Sequence, residues 1–115
     1  MTTVFGIKQC DTVKKACRWL EQHNTGYTFR DFRVDGLARE DLERWLNLVG
    51  SERLINKRST TFRQLDETAK ATLDSDPVAA LLAHPTLIKR PVIEHNDSVS
   101  VGFSDAQFTQ IFVQN

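Results

Sequence analysis

The chain has no excess of charge, few cysteines and no long apolar run, and each shortage removes a class of function. Its 15 Lys and Arg balance its 15 Asp and Glu, so no global field draws the protein toward nucleic acid or an anionic membrane. No apolar stretch approaches bilayer length. The first residues lack the basic, apolar and small-residue segments of a secretory signal, which predicts a cytoplasmic protein with reduced thiols. There is no Gly-rich nucleotide loop, internal repeat or low-complexity tract. The two cysteines, Cys10 and Cys17, do not form the tight pairs of a zinc site. On one helix, their spacing puts the Cα atoms about 10 Å apart at a rise of roughly 1.5 Å per residue. A disulfide needs less than about 7 Å. Cys17 is therefore expected as a small buried apolar residue, not as a resolving thiol.

What is present fits one domain. A chain of 115 residues can build a real core but not two ordinary domains, and the expectation is a single domain over 1–115 with a helical insert at about 38–85. Thr2 to Ile7 reads as a short buried strand. Thr12 to His23 reads as an amphipathic helix with Val13, Ala16, Cys17 and Leu20 at helical spacing. Tyr27 to Phe32 alternates aromatic and polar residues as a second strand, expected to lie parallel to the first through a right-handed crossover. Leu42, Trp45, Leu46 and Val49 form the stripe of a further helix, with Gly50 as its C-cap. Arg53 to Thr61 reads as a loop. Phe62, Leu65, Ala69 and Leu73 predict one more helix. Asp76-Pro77 opens another, which should stop before His84-Pro85. Arg90–Glu94 and Ser98–Gly102 read as a hairpin turning at His95-Asn96-Asp97. Ser104 should cap a last helix carrying Phe108, Ile111 and Phe112. This is an α/β order: a thioredoxin-like fold with a helical insertion between its β-α-β and β-β-α halves.

Cys10 is the residue with the most chemical promise. It falls between the first strand and the first helix, where free backbone N–H groups and the positive end of the helix dipole favour a thiolate nucleophile. Lys8 and Lys14 flank it. Lys57 and Arg58 lie in the middle loop, and Lys89 and Arg90 directly precede Pro91. Lys15, Arg18 and Arg63 read as solvated surface charge. A phosphatase-type loop would carry an arginine at position 16, where this chain has Ala16. His23, His84 and His95 show no pattern tying them to Cys10, which argues against a Cys–His dyad. Trp19 and Trp45 read as packing residues.

These residues resemble a known family. Gly6-Ile7-Lys8-Gln9-Cys10-Asp11-Thr12-Val13-Lys14-Lys15-Ala16, Thr60-Thr61-Phe62-Arg63-Gln64-Leu65, Ile88-Lys89-Arg90-Pro91-Val92 and Val101-Gly102-Phe103 are similar to the ArsC/Spx family, above all its YffB-like branch of small glutathione-dependent reductases. The resemblance implies that Cys10 is the nucleophile, with Arg90 and Lys14 as the other catalytic groups. It implies Lys8, Thr12, Arg58 and Pro91 as substrate-binding residues, with a cis bond at Pro91 facing the cysteine. It implies glutathione as co-substrate, with no bound cofactor and no metal. The partners it implies are glutathione, glutaredoxin or a protein disulfide, without direct nucleic-acid or membrane binding. Two further arginines of the family's arsenate reductases fall here at Asn56 and Phe103, so the oxyanion set is incomplete. The second cysteine of the family's transcriptional regulators falls at Val13. Thiol reduction is the leading expectation, ahead of glutaredoxin-coupled arsenate reduction and of an Spx-like module that binds RNA polymerase.

Overall fold

A computed structural model describes residues 1–113. The chain divides into two compact units: Met1–Asp35 with the stretch from Arg90 onward, and Gly36–Lys89.

The first unit is built on a four-stranded sheet. Strands β1 (Thr2–Gly6), β2 (Thr28–Asp31), β3 (Val92–His95) and β4 (Ser98–Val101) lie in the order β2-β1-β3-β4. β1 pairs parallel with β2 and antiparallel with β3, and β3 pairs antiparallel with β4. Helix α1 (Asp11–Gln22) connects β1 to β2. This is the thioredoxin-like arrangement, and the expected parallel pair is present. The hairpin turn is tighter than its sequence suggests. His95 still pairs with Ser98 in the ladder, and Asn96 makes the reversal at φ 56°, a conformation an Asn side chain tolerates.

Val4, Ala16, Leu20, Ile93 and Phe108 are fully or almost fully buried in one cluster with Trp19. Burying a large apolar side chain of this kind contributes about 1.5–3 kcal/mol. The last helix is short. Ser104 caps it by accepting from the Gln107 amide at 3.0 Å, but the α-helix spans only Asp105–Phe108 before a π-helical turn, Thr109–Val113. Trp19 Nε1 donates to Asp105, and the Trp19 and Phe108 rings meet edge to face at 5.4 Å.

The second unit is helical. In chain order it has α2 (Arg39–Val49), α3 (Ser51–Leu54), α4 (Thr60–Arg63), α5 (Glu67–Ser75), α6 (Pro77–Ala83) and a 3₁₀ turn at Pro85–Leu87. Leu42, Trp45, Leu54, Leu81, Leu87 and Ile88 are fully buried in it. Two expectations need correction. The segment Arg53–Thr61 is not all loop: Arg53 and Leu54 close α3, Ile55 bridges Ile88, and Thr60 and Thr61 open α4. The helix expected from Phe62 to Leu73 is two helices. Asp66 is extended and caps α5 through the Ala69 amide at 2.8 Å, and a residue in the β region cannot continue a helix through itself. Asp76 caps α6 as expected.

Candidate functional site

The turn that presents Cys10 is fixed by backbone hydrogen bonds. β1 ends at Gly6, and the Cys10 amide donates back to the Ile7 carbonyl at 3.1 Å. The Lys14 amide then donates to the Cys10 carbonyl at 2.9 Å, the first bond of α1. Cys10 is thus the N-cap, with extended backbone angles (φ −83°, ψ 124°) and no side-chain capping bond. Its half-buried thiol is therefore not engaged in holding the helix end. Gly6 allows β1 and α1 to approach: a Cβ there would stand 2.7 Å from a Val13 γ-methyl.

Asp31, at the end of β2, holds this turn from below. It is buried, and its carboxylate accepts from the Lys8 amide at 3.0 Å and the Arg33 amide at 2.7 Å. Burial by itself would raise its pKa. The amides of Arg33, Lys8 and Val34, with the Arg33 charge, outweigh burial and hold the carboxyl below its usual value. Sequence reasoning placed Asp31 in the second strand but gave it no role. The signal was available, because the alternation that points Phe29 inward also points Asp31 inward, and a buried acid on an apolar strand face needs partners.

The other expected residues are placed as follows. Lys8, Thr12 and Lys14 are exposed, on the turn and the first turns of α1. Lys14 is one helical turn past Cys10, so the two share a face. The Arg90–Pro91 peptide is cis, as the resemblance implied. Pro91 is buried, Arg90 is half-buried, and the Pro91 carbonyl accepts from the Gly102 amide at 2.8 Å. Phe5 lies opposite Val92 across β1 and β3, which sets Pro91 level with Gly6, where the Cys10 turn begins. The structure thus brings Cys10, Lys8, Thr12, Lys14, Arg90 and Pro91 to one end of the sheet. Arg58 belongs to the helical unit, exposed in a turn where its amide donates to Asn56 Oδ1 at 3.1 Å.

Phe103 and His23 have structural roles. The Phe103 ring meets Phe108 edge to face at 4.7 Å. His23 stacks on Trp19 at 3.7 Å, and its Nδ1 lies 2.9 Å from the Trp19 carbonyl oxygen. Cys17 is half-buried instead of fully buried, because its side chain borders an open cleft beside Tyr27. Burial pushes its thiol up. Among the described residues, no group of three or more His, Cys, Asp or Glu is arranged to hold a metal ion, and no helix is long and apolar enough to cross a membrane.

A sheet ordered β2-β1-β3-β4, with a cysteine at the N-cap of its first helix and a cis proline leading into its third strand, defines a thioredoxin-like protein. The chain belongs to the ArsC family, whose model matches residues 5–111. An uncharacterised protein of Haemophilus influenzae is 46% identical over 97% of this chain and 99% of its own length. The solved structure of a YffB protein superposes with a TM-score of 0.89 at 41% identity, covering 95% of this chain and 96% of that one. The global transcriptional regulator Spx of Staphylococcus aureus is 27% identical over 91% of this chain and 82% of the regulator.

Proposed function

We propose that the protein is a glutathione-dependent thiol-disulfide reductase with Cys10 as its single nucleophile. The observation that carries this reading is the Cys10 thiol at the α1 N-cap, free of any capping bond. The Cys10 thiolate attacks one sulfur of a substrate disulfide. The substrate S–S bond breaks, a mixed disulfide with Cys10 forms, and the departing thiolate takes a proton from water. A glutathione thiolate then attacks the Cys10 sulfur of the mixed disulfide, which releases the second substrate thiol and leaves Cys10 joined to glutathione, and a second glutathione thiolate attacks the glutathione sulfur of that disulfide and frees the Cys10 thiolate. The substrate gains two electrons, and two glutathione molecules give them up as the glutathione disulfide forms. Cys17 sits seven residues along the helix, too far to resolve the intermediate itself, so the second thiol comes from outside the chain.

In this reading Arg90 and Lys14 bind the carboxylates of glutathione or an anionic substrate. Lys8, Thr12 and Pro91 border the bound segment. The first amides of α1 stabilise negative charge developing on sulfur. Asp31 acts through the Lys8 backbone as a positioning residue. The test is turnover of a glutathione mixed disulfide with excess glutathione, with mass spectrometry for a Cys10 adduct. Turnover and the adduct should both vanish in Cys10→Ser; undiminished activity in that variant overturns the reading.

The likeness to Spx favours a second reading, a regulator that binds RNA polymerase. Val13 stands where that branch has its second cysteine and is buried against Gly6, which weakens it as a redox switch. Retention of polymerase on the immobilised protein, with no turnover of mixed disulfides, would favour this reading. Arsenate reduction draws no support from Phe103, which packs on Phe108, or from Asn56, whose side chain accepts the Arg58 amide.

A further inference from the structure

Beside the Cys10 turn, on the flank of α1 that faces β2, lies an open cleft of about 400 Å³. That is within the roughly 300–1,000 Å³ of small-molecule sites. Helical spacing sorts its lining. Val13 and Cys17, four residues apart, form the floor with Tyr27 and Phe29, while Lys14 and Arg18, also four apart, stand along the rim with Lys8 and Glu21. The floor is neutral: burial pushes up the Cys17 thiol and also the Tyr27 hydroxyl, which is further held by Glu21. The one acid at the rim is already occupied, because Glu21 accepts from the Tyr27 hydroxyl at 2.6 Å.

The cations are not occupied. Among the described residues, none of Lys8, Lys14 and Arg18 makes an ion pair. Lys14 and Arg18 are like charges one turn apart, a spacing that destabilises a helix unless an anion lies between them. An apolar floor beneath three unpaired cations complements one kind of occupant. We propose that this cleft binds a small organic anion, a carboxylate or sulfonate whose head group lies between Lys14 and Arg18 and whose aryl or alkyl body lies on Val13, Cys17, Tyr27 and Phe29. A single head group reaches both cations because i and i+4 side chains on a helix are neighbours. The site shares Lys14 and Lys8 with the proposed glutathione site, but binding there needs no chemistry at Cys10 and is tested without it.

The test is titration of the isotope-labelled protein with 4-phenylbutyrate, read at the backbone amides of Val13, Cys17 and Phe29. Saturable shifts confined to this flank of α1 and to β2 are expected, with 4-phenylbutanol binding about tenfold more weakly for want of its charge. Arg18 is exposed, so Arg18→Gln should fold normally and bind about two- to fourfold more weakly. Cys17→Met fills the floor and should abolish the shifts. Shifts that fail to saturate, or that are equal for the acid and the alcohol, overturn the proposal. So does saturation by an oligoglutamate peptide in place of phenylbutyrate, or a shift of the same amides with protein concentration alone, which would put a second copy in the cleft.

Discussion

Cys10 and Cys17 stand on one helix, and α1 gives them different surroundings. At the N-terminal end, the backbone closes the turn by itself through Ile7 and Lys14, and the Cys10 side chain is left without a structural task. Two turns further on, Cys17 faces Tyr27 and Phe29 at the edge of the core cluster, and burial pushes its thiol up. Position relative to the helix end, rather than residue type, separates a candidate nucleophile from a wall of a binding cleft. Both environments depend on how closely α1 packs on β1 and on how firmly Asp31 holds the loop between them.

Four experiments probe the contrast between the two ends of α1. The largest effect is expected at Cys10. Replacement by serine should reduce mixed-disulfide turnover by at least about a hundredfold, because the thiolate is the nucleophile; steady-state assays with glutathione in excess check it. Next, Asp31→Ala leaves the part-buried amides of Lys8 and Arg33 without their acceptor, and should cost about 1–3 kcal/mol in urea denaturation. The pH dependence gives the sign. A carboxyl held below its usual value stabilises the fold above the ordinary carboxylate range, and that contribution is lost as pH falls through its folded value. The gap between the wild type and Asp31→Asn should therefore narrow in acid.

A smaller loss, about 1–3 kcal/mol, is expected for Gly6→Ala. The new methyl would meet Val13 at 2.7 Å, and a β-branched side chain in a packed core has little room to yield. Thermal denaturation measures it. The smallest effect is a difference between the thiols themselves. Timed iodoacetamide labelling followed by peptide mapping should modify Cys10 about tenfold faster than Cys17 near neutral pH. Raising the pH should close the gap, because Cys17 gains its thiolate only above the ordinary thiol range. Equal labelling at neutral pH would remove the distinction between the two ends of the helix.

Much of this arrangement was legible along the chain, and the misses have physical causes. The strand-turn-helix around Cys10 could be read because local signals agreed there: an apolar run, then helical spacing of Val13, Ala16 and Leu20. The Asp76-Pro77 start and the Ser104 cap were legible for the same reason, since a cap is a contact within three residues. The segment from Arg53 to Leu73 was harder. The apolar spacing of Phe62, Leu65, Ala69 and Leu73 continues across Asp66, whereas the backbone follows the cap at Asp66 and breaks. The Ile55–Ile88 bridge joins residues far apart in sequence, and no local pattern announces such a pairing. Asp31 was placed in its strand but not recognised, because its partners are amides on another segment and on its own following turn.

The order of strands and helices, the helix terminus beneath Cys10 and the cations flanking it follow from local sequence, because each depends on residues within one or two turns of each other. Which distant segments meet follows from packing. It set Pro91 level with Gly6 through the register of β1 and β3, tied Asp31 to Lys8, and opened a cleft between α1 and β2 where the helix pattern alone read Cys17 as core. Those outcomes depend on strand register and on the packing of one element against another, which a local pattern constrains but does not specify.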